Sequence, residues 1–231
     1  MNKNPLIIAL DVDSAEDARS LVSSLGDAVD FYKVGMELYA AEGISFVREL
    51  ISEGKQVFLD LKMYDIGEQV KRAVAQIAKT GVRFLTVHAR GQIMRAAVAG
   101  RGSSPLKLLG VTVLTSFDES NVAEDRYRGP IAEIVEARVR LAKECGIDGI
   151  VCSGFEVARV RQVGGPSMTI VVPGVRSPGA SAGDQKRVVT PEEALAAGAD
   201  YLVIGRQVTQ AADPRAEALR LLSDVAAVSR R

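Results

Sequence analysis

At 231 residues, with 47% apolar and 25% charged side chains, the chain has the composition of a soluble globular protein with a sizeable core. Its 29 basic and 29 acidic residues cancel, which argues against a nucleic-acid-binding surface and against a disordered acidic tail. No signal peptide or membrane span is predicted, and Cys145 and Cys152 form neither a disulfide framework nor a metal-ligand pattern. We therefore expect a cytoplasmic protein that binds neither nucleic acid nor a membrane.

Apolar segments alternate with amphipathic segments along the chain. The first helix is predicted to begin after Ser14, a candidate N-cap, and to end near Gly26, and a later helix begins after Thr190 with Pro191 in its first turn. Most of the apolar runs lack a polar face, as is typical of parallel strands that are covered on both sides. The candidate strands are 6–12, 31–38, 56–63, 84–89, 107–115, 149–154, 169–175 and 201–206.

Eight strands alternating with helices match a closed (β/α)8 barrel, the TIM barrel, as a single domain over residues 1–231. A doubly wound open sheet is the alternative. That fold usually carries a Gly-rich dinucleotide turn after its first strand, and the stretch ALDVDSAED contains no glycine. No linker divides the chain, so the α/β barrel is the predicted fold.

Active sites of such barrels lie at the C-terminal ends of the strands, so polar residues there carry the functional information. Asp60 and Lys62 end the third candidate strand, two residues apart and therefore on one face, and Lys33 lies in the second. The other polar residues at strand ends are Asp11, His88, Thr115, Ser116, Arg176, Gly205 and Arg206.

Lys33, Asp60 and Lys62 form an alternating set of charges. Opposite charges about 4 Å apart attract by roughly 4 kcal/mol at an effective dielectric constant near 20, which can keep Asp60 ionised and Lys62 protonated as an acid. The alternative interpretation is a structural ion-pair cluster that closes one end of the barrel. The lone His88 is more often a satisfied core or mouth residue than a substrate contact.

A phosphate site is expected at the ends of the seventh and eighth strands. Gly205 lets a phosphate approach the backbone, Arg206 offers a bidentate contact, and Arg176 can close over the same oxygens. The loop 173–190 is long and rich in Gly, Ala and Ser, which is typical of a lid over an active site.

The stretch DLKMYDI, with ALDV before it and PGVR, GDQKR and YLVIGR after it, resembles the orotidine 5′-phosphate decarboxylase family over about residues 6–214. The resemblance implies a homodimeric barrel enzyme that uses no cofactor and no metal. It also implies conversion of orotidine 5′-monophosphate to uridine 5′-monophosphate in pyrimidine biosynthesis.

Lys33, Asp60 and Lys62 resemble the charged array of that family, which makes Lys62 the implied proton donor. Asp65 and Ile66 resemble residues that enter the site of the neighbouring subunit, where Asp65 completes the alternating charges. The remaining implied substrate contacts are Asp11 at the ribose, Thr115 and Ser116 at the pyrimidine, Gln185 between base and phosphate, and Arg176, Gly205 and Arg206 at the phosphate.

The segment after Asp65 departs from the family pattern. The family commonly continues DIPNT, whereas this chain reads DIGEQ. Gln69 therefore stands where a threonine often contacts the ribose bound by the partner, and Gly67 in place of proline loosens the turn that presents Asp65.

Two other functions are compatible with a barrel of this kind. A metal-assisted sugar-phosphate decarboxylase or aldolase would need a carboxylate ligand on the second strand, where this chain has Lys33, a cation that repels a metal ion. A non-catalytic phosphate-ligand sensor has little use for Asp60, Lys62 and Asp65 together.

Overall fold

A computed structural model describes residues 4–177 and 189–228 of the chain. Eight parallel strands of the described residues pair in chain order, and the first pairs with the last, so the sheet is a closed barrel. Helices follow the strands on the outside, which confirms the predicted (β/α)8 fold. The strands are β1 Leu6–Ala9, β2 Phe31–Gly35, β3 Gln56–Met63, β4 Phe84–His88, β5 Lys107–Val111, β6 Gly149–Val151, β7 Thr169–Pro173 and β8 Tyr201–Ile204.

Most strands end earlier than the apolar runs predict. β1 ends at Ala9 instead of residue 12, β2 gives way to a helix at Met36, and β5 ends at Val111 instead of residue 115. Val113 shows the reason, because it is only 4% exposed although it lies beyond β5. An apolar run reports burial, and burial continues into the loops after strand pairing has stopped.

Helix caps agree with the sequence signals. Ser14 Oγ accepts a hydrogen bond from the Asp17 amide, and Thr190 and Glu193 form a reciprocal capping box. The helices are α1 Ala15–Leu25, α2 Met36–Ser52, α3 Gly67–Ile77, α4 Gly91–Arg101, α5 Glu119–Glu124, α6 Ile131–Glu144, α7 Val157–Gly164, α8 Pro191–Ala196, α9 Arg206–Thr209 and α10 Pro214–Val228. None of the helices in the described part of the chain is both long enough and apolar enough to cross a membrane.

Aromatic side chains close the N-terminal end of the barrel interior. Phe31, Phe84 and Tyr201 begin their strands and meet edge to face, with ring centroids 5.1 to 5.6 Å apart. Arg83 lies over these rings and donates a hydrogen bond to the Tyr201 hydroxyl at 2.8 Å. With this end filled, the opposite, C-terminal end is where the interior can open to a ligand.

Candidate active site

A cavity of about 640 Å³ opens at the C-terminal end of the barrel, within the size range of small-molecule sites. Its floor is the apolar barrel interior, formed by side chains such as Phe58 and Val151. Polar groups converge on it from both sides of the ring of strands. They are Asp11, Lys33, Asp60, Lys62, Thr115, Arg176, Arg206, Thr209 and Gln210.

Four of these side chains form a row of alternating charge, which we call the charged row: Asp11, Lys33, Asp60 and Lys62. Lys33 Nζ lies 2.7 Å from Asp11 Oδ1 and 3.9 Å from Asp60 Oδ2. Lys62 Nζ lies 2.8 Å from the same Asp60 oxygen. The structure therefore brings together three predicted array residues and adds Asp11 as a fourth member.

Burial strengthens the attraction between the charges of Lys33, Asp60 and Lys62 in the charged row. The side chains of Lys33 and Asp60 are 12% and 10% exposed, whereas Lys62 is 29% exposed and reaches towards the open cavity. A carboxylate as buried as that of Asp60 is stable only when paired charges and hydrogen bonds replace its lost hydration. Across residues 4–177 and 189–228, no group of three or more His, Cys, Asp or Glu side chains is placed to hold a metal ion.

A bulge in β3 delivers Asp60 and Lys62 to the cavity. Pairing with β4 shifts register between Leu59 and Met63, and Lys62 has a backbone φ of +46°. A side chain in this left-handed region costs on the order of 1–3 kcal/mol, so the surrounding structure must hold it there. Regular strand spacing predicted that Asp60 and Lys62 share a face, but it is this irregular segment that brings their charged atoms together.

Gly35 makes room for the pair between Lys33 and Asp11. A Cβ atom at this position would lie 3.0 Å from Lys33 Nζ and 3.1 Å from Asp11 Oδ1. Both separations are shorter than ordinary contacts of a Cβ atom, so any side chain here would push the charged row apart. Sequence analysis assigned no role to Gly35.

The expected phosphate residues follow β7 and β8. β7 stands opposite β3, which carries Asp60 and Lys62, whereas β8 pairs with β1, the strand that precedes Asp11. Arg176 follows β7, is 7% exposed and donates from its guanidinium to the Val175 carbonyl at 2.7 Å. Gly205 and Arg206 line the same wall after β8. Of the predicted pyrimidine contacts, Thr115 lines the cavity, whereas Ser116 is exposed outside the cavity wall.

Three predicted site residues lie away from the cavity of their own chain. Asp65, Ile66 and Gln69 are exposed at the end of β3 and the start of α3, and the Asp65 carboxylate accepts a hydrogen bond from the Ile66 amide at 2.6 Å. Ile66 and its neighbour Tyr64 are 68% and 66% exposed. Gln185 and most of the predicted lid fall in residues 178–188, outside the described residues.

The sequence analysis missed Thr86, which contacts two members of the charged row. Its hydroxyl donates to Asp60 Oδ1 at 2.9 Å and accepts from the Lys62 amide at 2.9 Å. A signal was present, because Thr86 is the one polar residue between Phe84 and Val87 in an otherwise apolar run. Thr86 lies in the middle of β4, whereas the predicted site residues were sought at strand ends.

His88 lies at the end of β4 and outside the cavity wall. Its ring meets the Tyr64 ring edge to face at 5.5 Å. Burial lowers the pKa of His88 below its ordinary value of 6.5, and the nearby cations Arg138, Arg90 and Lys62 lower it further. The neutral imidazole is therefore favoured.

We expect His88 to titrate below the ordinary value of 6.5 in the folded protein. Above the pKa of His88 in the unfolded chain, this group does not affect stability. As the pH falls from that pKa towards the lower pKa of the folded state, only the unfolded chain takes up the proton, so the free energy of unfolding decreases. His88 is the only histidine, so its ring resonance in a pH series of NMR spectra is unambiguous. A midpoint at or above the ordinary value would contradict the expected shift, and His88→Gln identifies the resonance.

The family of the chain follows from comparison with known proteins. The sequence profile described as "Orotidine 5'-phosphate decarboxylase / HUMPS family" matches residues 4–221. A relative from Rhodopseudomonas palustris, named orotidine 5'-phosphate decarboxylase, is 50% identical over 225 residues, which cover 97% of this chain and 96% of that protein. A Bradyrhizobium relative of the same name is 51% identical over 221 residues, 96% of this chain and 91% of that protein.

A solved structure agrees with these sequence relatives. The crystal structure of orotidine 5'-phosphate decarboxylase from Lactobacillus acidophilus superimposes with a TM-score of 0.85 at 37% identity, covering 96% of this chain and 99% of that one. Profile, sequence relatives and structure thus extend over nearly the whole chain. The chain belongs to the orotidine 5'-phosphate decarboxylase / HUMPS family.

Proposed function

We propose that the protein decarboxylates orotidine 5′-monophosphate to uridine 5′-monophosphate, a step of pyrimidine biosynthesis, without a metal or another cofactor. Family membership and relatives about 50% identical that carry the decarboxylase name support this reaction. The observation that carries the proposal is a single cavity that holds the charged row and both arginines: Asp60 and Lys62 lie on β3, Arg176 follows the opposite strand β7, and Arg206 follows β8. That layout suits a ligand with a reacting centre at one end and a phosphate at the other.

Lys62 is the proposed acid. Loss of carbon dioxide breaks the bond between C6 and the carboxyl carbon, and its electron pair stays on C6 in the plane of the pyrimidine ring, where the ring π system delocalises it poorly. The remaining means of stabilisation is electrostatic, and a preorganised ammonium beside C6 supplies it. A proton then passes from Lys62 Nζ to C6, leaving uridine monophosphate and a neutral lysine.

Asp60 has two roles in this scheme. Its carboxylate, 2.8 Å from Lys62 Nζ, holds the ammonium in position. It would also lie beside the carboxylate of the substrate, and the repulsion between the two anions is relieved as carbon dioxide leaves.

The far end of the cavity is the proposed phosphate site. Arg176 and Arg206 offer charge-assisted hydrogen bonds to phosphate oxygens, and Gly205 leaves the backbone open to them. Asp11, paired with Lys33, is placed for the ribose hydroxyls, and Thr115 for the pyrimidine. Gln185, outside the described residues, is proposed to bridge base and phosphate. Binding energy gained at the phosphate can drive closure of the site around the reacting carbon.

A homodimer with shared sites is the proposed assembly. Asp65 and Ile66 are exposed beside the cavity end of β3, where a second copy could receive them. In such a two-fold arrangement each subunit lends these residues and receives the same ones. Asp65 would extend the charged row of the partner, and the Gln69 amide would replace the ribose contact that threonine makes in relatives.

Lys33 argues against the metal-assisted sugar-phosphate alternative in this chain. Its ammonium lies 3.9 Å from Asp60 Oδ2 and 2.7 Å from Asp11 Oδ1, so both carboxylates already face a cation. A divalent ion placed between them would be repelled by the fixed positive charge.

Lys62→Ala should lower turnover of orotidine monophosphate by roughly a thousandfold or more, because it removes both the stabilising charge and the acid. Uridine monophosphate should still bind, since Arg176 and Arg206 are untouched. Turnover is followed by ultraviolet absorbance with EDTA present throughout, and binding by calorimetry. Lys107→Ala, an exposed lysine at the closed end of the barrel, is the matched control. Normal turnover by Lys62→Ala, or wild-type activity that EDTA abolishes and magnesium restores, would contradict the proposal.

Gly35→Ala should weaken binding of uridine monophosphate by roughly tenfold, because the new methyl group displaces Lys33 and Asp11 by a few tenths of an ångström. The effect requires the lysine, so Gly35→Ala should cost much less affinity in a Lys33→Ala background. Calorimetry on the four proteins of this double-mutant cycle measures the coupling. Equal losses in both backgrounds would mean that Gly35 does not act through Lys33.

Mixing Lys62→Ala chains with Asp65→Ala chains should restore activity if the sites are shared. In a hybrid dimer one site carries both lesions and the other carries neither. About half of randomly exchanged dimers are hybrids, so roughly a quarter of wild-type activity should return. Mixing Lys62→Ala with Lys33→Ala is the control, since each lesion damages the site of its own chain and a hybrid dimer then contains no intact site. Absence of recovery after verified exchange would place Asp65 in the site of its own chain.

A further inference from the structure

We infer that Thr86 is a positioning residue for the decarboxylation: its hydroxyl orients the Asp60 carboxylate and holds the backbone that carries Lys62. The inference rests on the proposed function, because it takes the charged row as the catalytic array. It concerns how that array is kept in a reactive geometry, and Thr86 touches neither the cavity nor a ligand in this role.

The hydroxyl of Thr86 is completely enclosed, and it both donates and accepts a hydrogen bond. The residue has no solvent exposure and lies in the middle of β4. Its single proton goes to Asp60 Oδ1, and its lone pair accepts the Lys62 amide, each over 2.9 Å. Because a hydroxyl has only one hydrogen, the bond from the Lys62 amide helps to direct that hydrogen towards Asp60.

Because Thr86 binds one oxygen of the Asp60 carboxylate, the two oxygens have different partners. Oδ1 accepts from Thr86, while Oδ2 accepts from Lys62 at 2.8 Å and lies 3.9 Å from Lys33. A carboxylate without the hydroxyl bond is free to rotate and offer both oxygens to the lysines. Lys62 would then be drawn into a tighter ion pair with Asp60 and away from the open cavity, where the proposed reaction needs its ammonium.

Thr86 also replaces a missing strand partner. The β3–β4 ladder pairs Leu59 with Leu85 and then Met63 with Val87, so residues 60–62 of β3 lie opposite Thr86 alone. Lys62 occupies the left-handed conformation in this bulge, where its amide cannot join a regular ladder. The Thr86 hydroxyl supplies the acceptor that the ladder lacks, and so holds the turn that aims the lysine.

The test compares Thr86→Val, Thr86→Ser and Thr112→Val. Valine keeps the shape of threonine and removes the hydroxyl, so Thr86→Val should lower kcat by roughly ten- to a hundredfold, the size expected for loss of a hydrogen bond to a charged group. KM for orotidine monophosphate should change by less than about threefold, because the phosphate contacts lie across the barrel. Thr86→Ser retains the hydroxyl and should recover most of kcat.

Thr112→Val is the matched control. Thr112 is 2% exposed, and its hydroxyl donates to the Val151 carbonyl at 3.1 Å, so this variant loses a buried hydrogen bond without touching the charged row. Its kcat should stay within about twofold of wild type. Thermal denaturation of every variant checks folding, and Thr86→Ala takes the place of Thr86→Val if the latter does not fold.

A wild-type kcat in Thr86→Val, a loss no larger than that in Thr112→Val, or no recovery in Thr86→Ser would each overturn the inference. Lys62→Ala in the same assay separates this result from the fate of the proposed function. Loss of turnover in Lys62→Ala together with a wild-type rate in Thr86→Val would refute the positioning role of Thr86 and leave the proposed function standing. Full turnover in Lys62→Ala, or none in the wild type, overturns the proposed function and the inference with it.

Discussion

The site depends on one desolvated carboxylate. Asp60 lines the cavity with a side chain only 10% exposed, and an unpaired charge there would cost more free energy than the net stability of a small domain can offset. Lys33, Lys62 and Thr86 together supply what water would otherwise supply. Because each must reach Asp60 from a different strand or segment, the carboxylate constrains the geometry of β2, β3 and β4 at once.

Several local irregularities become understandable from that constraint. The bulge in β3 and the left-handed backbone of Lys62 are unfavourable by themselves, and they occur in the segment that carries both charges at the cavity. Gly35 follows the same logic, since a methyl group there would make the neighbouring lysine and aspartate shift by a few tenths of an ångström. The bulge, the backbone conformation of Lys62 and the missing side chain of Gly35 thus all border the charged row.

The closed end of the barrel matters for the open end. Phe31, Phe84, Tyr201 and Arg83 fill the N-terminal interior, so the cavity above them has an apolar floor. Charges above such a floor are screened less than charges in water, which strengthens the interactions of the buried Asp60 and Lys33 with each other and of Asp60 with Lys62. A rigid scaffold also keeps donors aimed before a ligand arrives, so that little reorganisation is needed during the proposed reaction.

The sequence by itself determined the fold and the outline of the site. Repeated apolar runs specified a barrel because parallel strands covered on both sides need them, and Asp11, Lys33, Asp60 and Lys62 were identifiable because strand ends meet at one edge of the ring. It could not specify where pairing stops, since Val113 is buried without being in a strand. Nor could it reveal that Thr86 bonds Asp60 across 26 residues, that Gly35 clears space for Lys33, or that Asp65 is exposed and does not line the cavity of its own chain. Those features depend on distances between segments that are far apart in the sequence. Closure of the barrel sets these distances, and the local sequence pattern does not specify them.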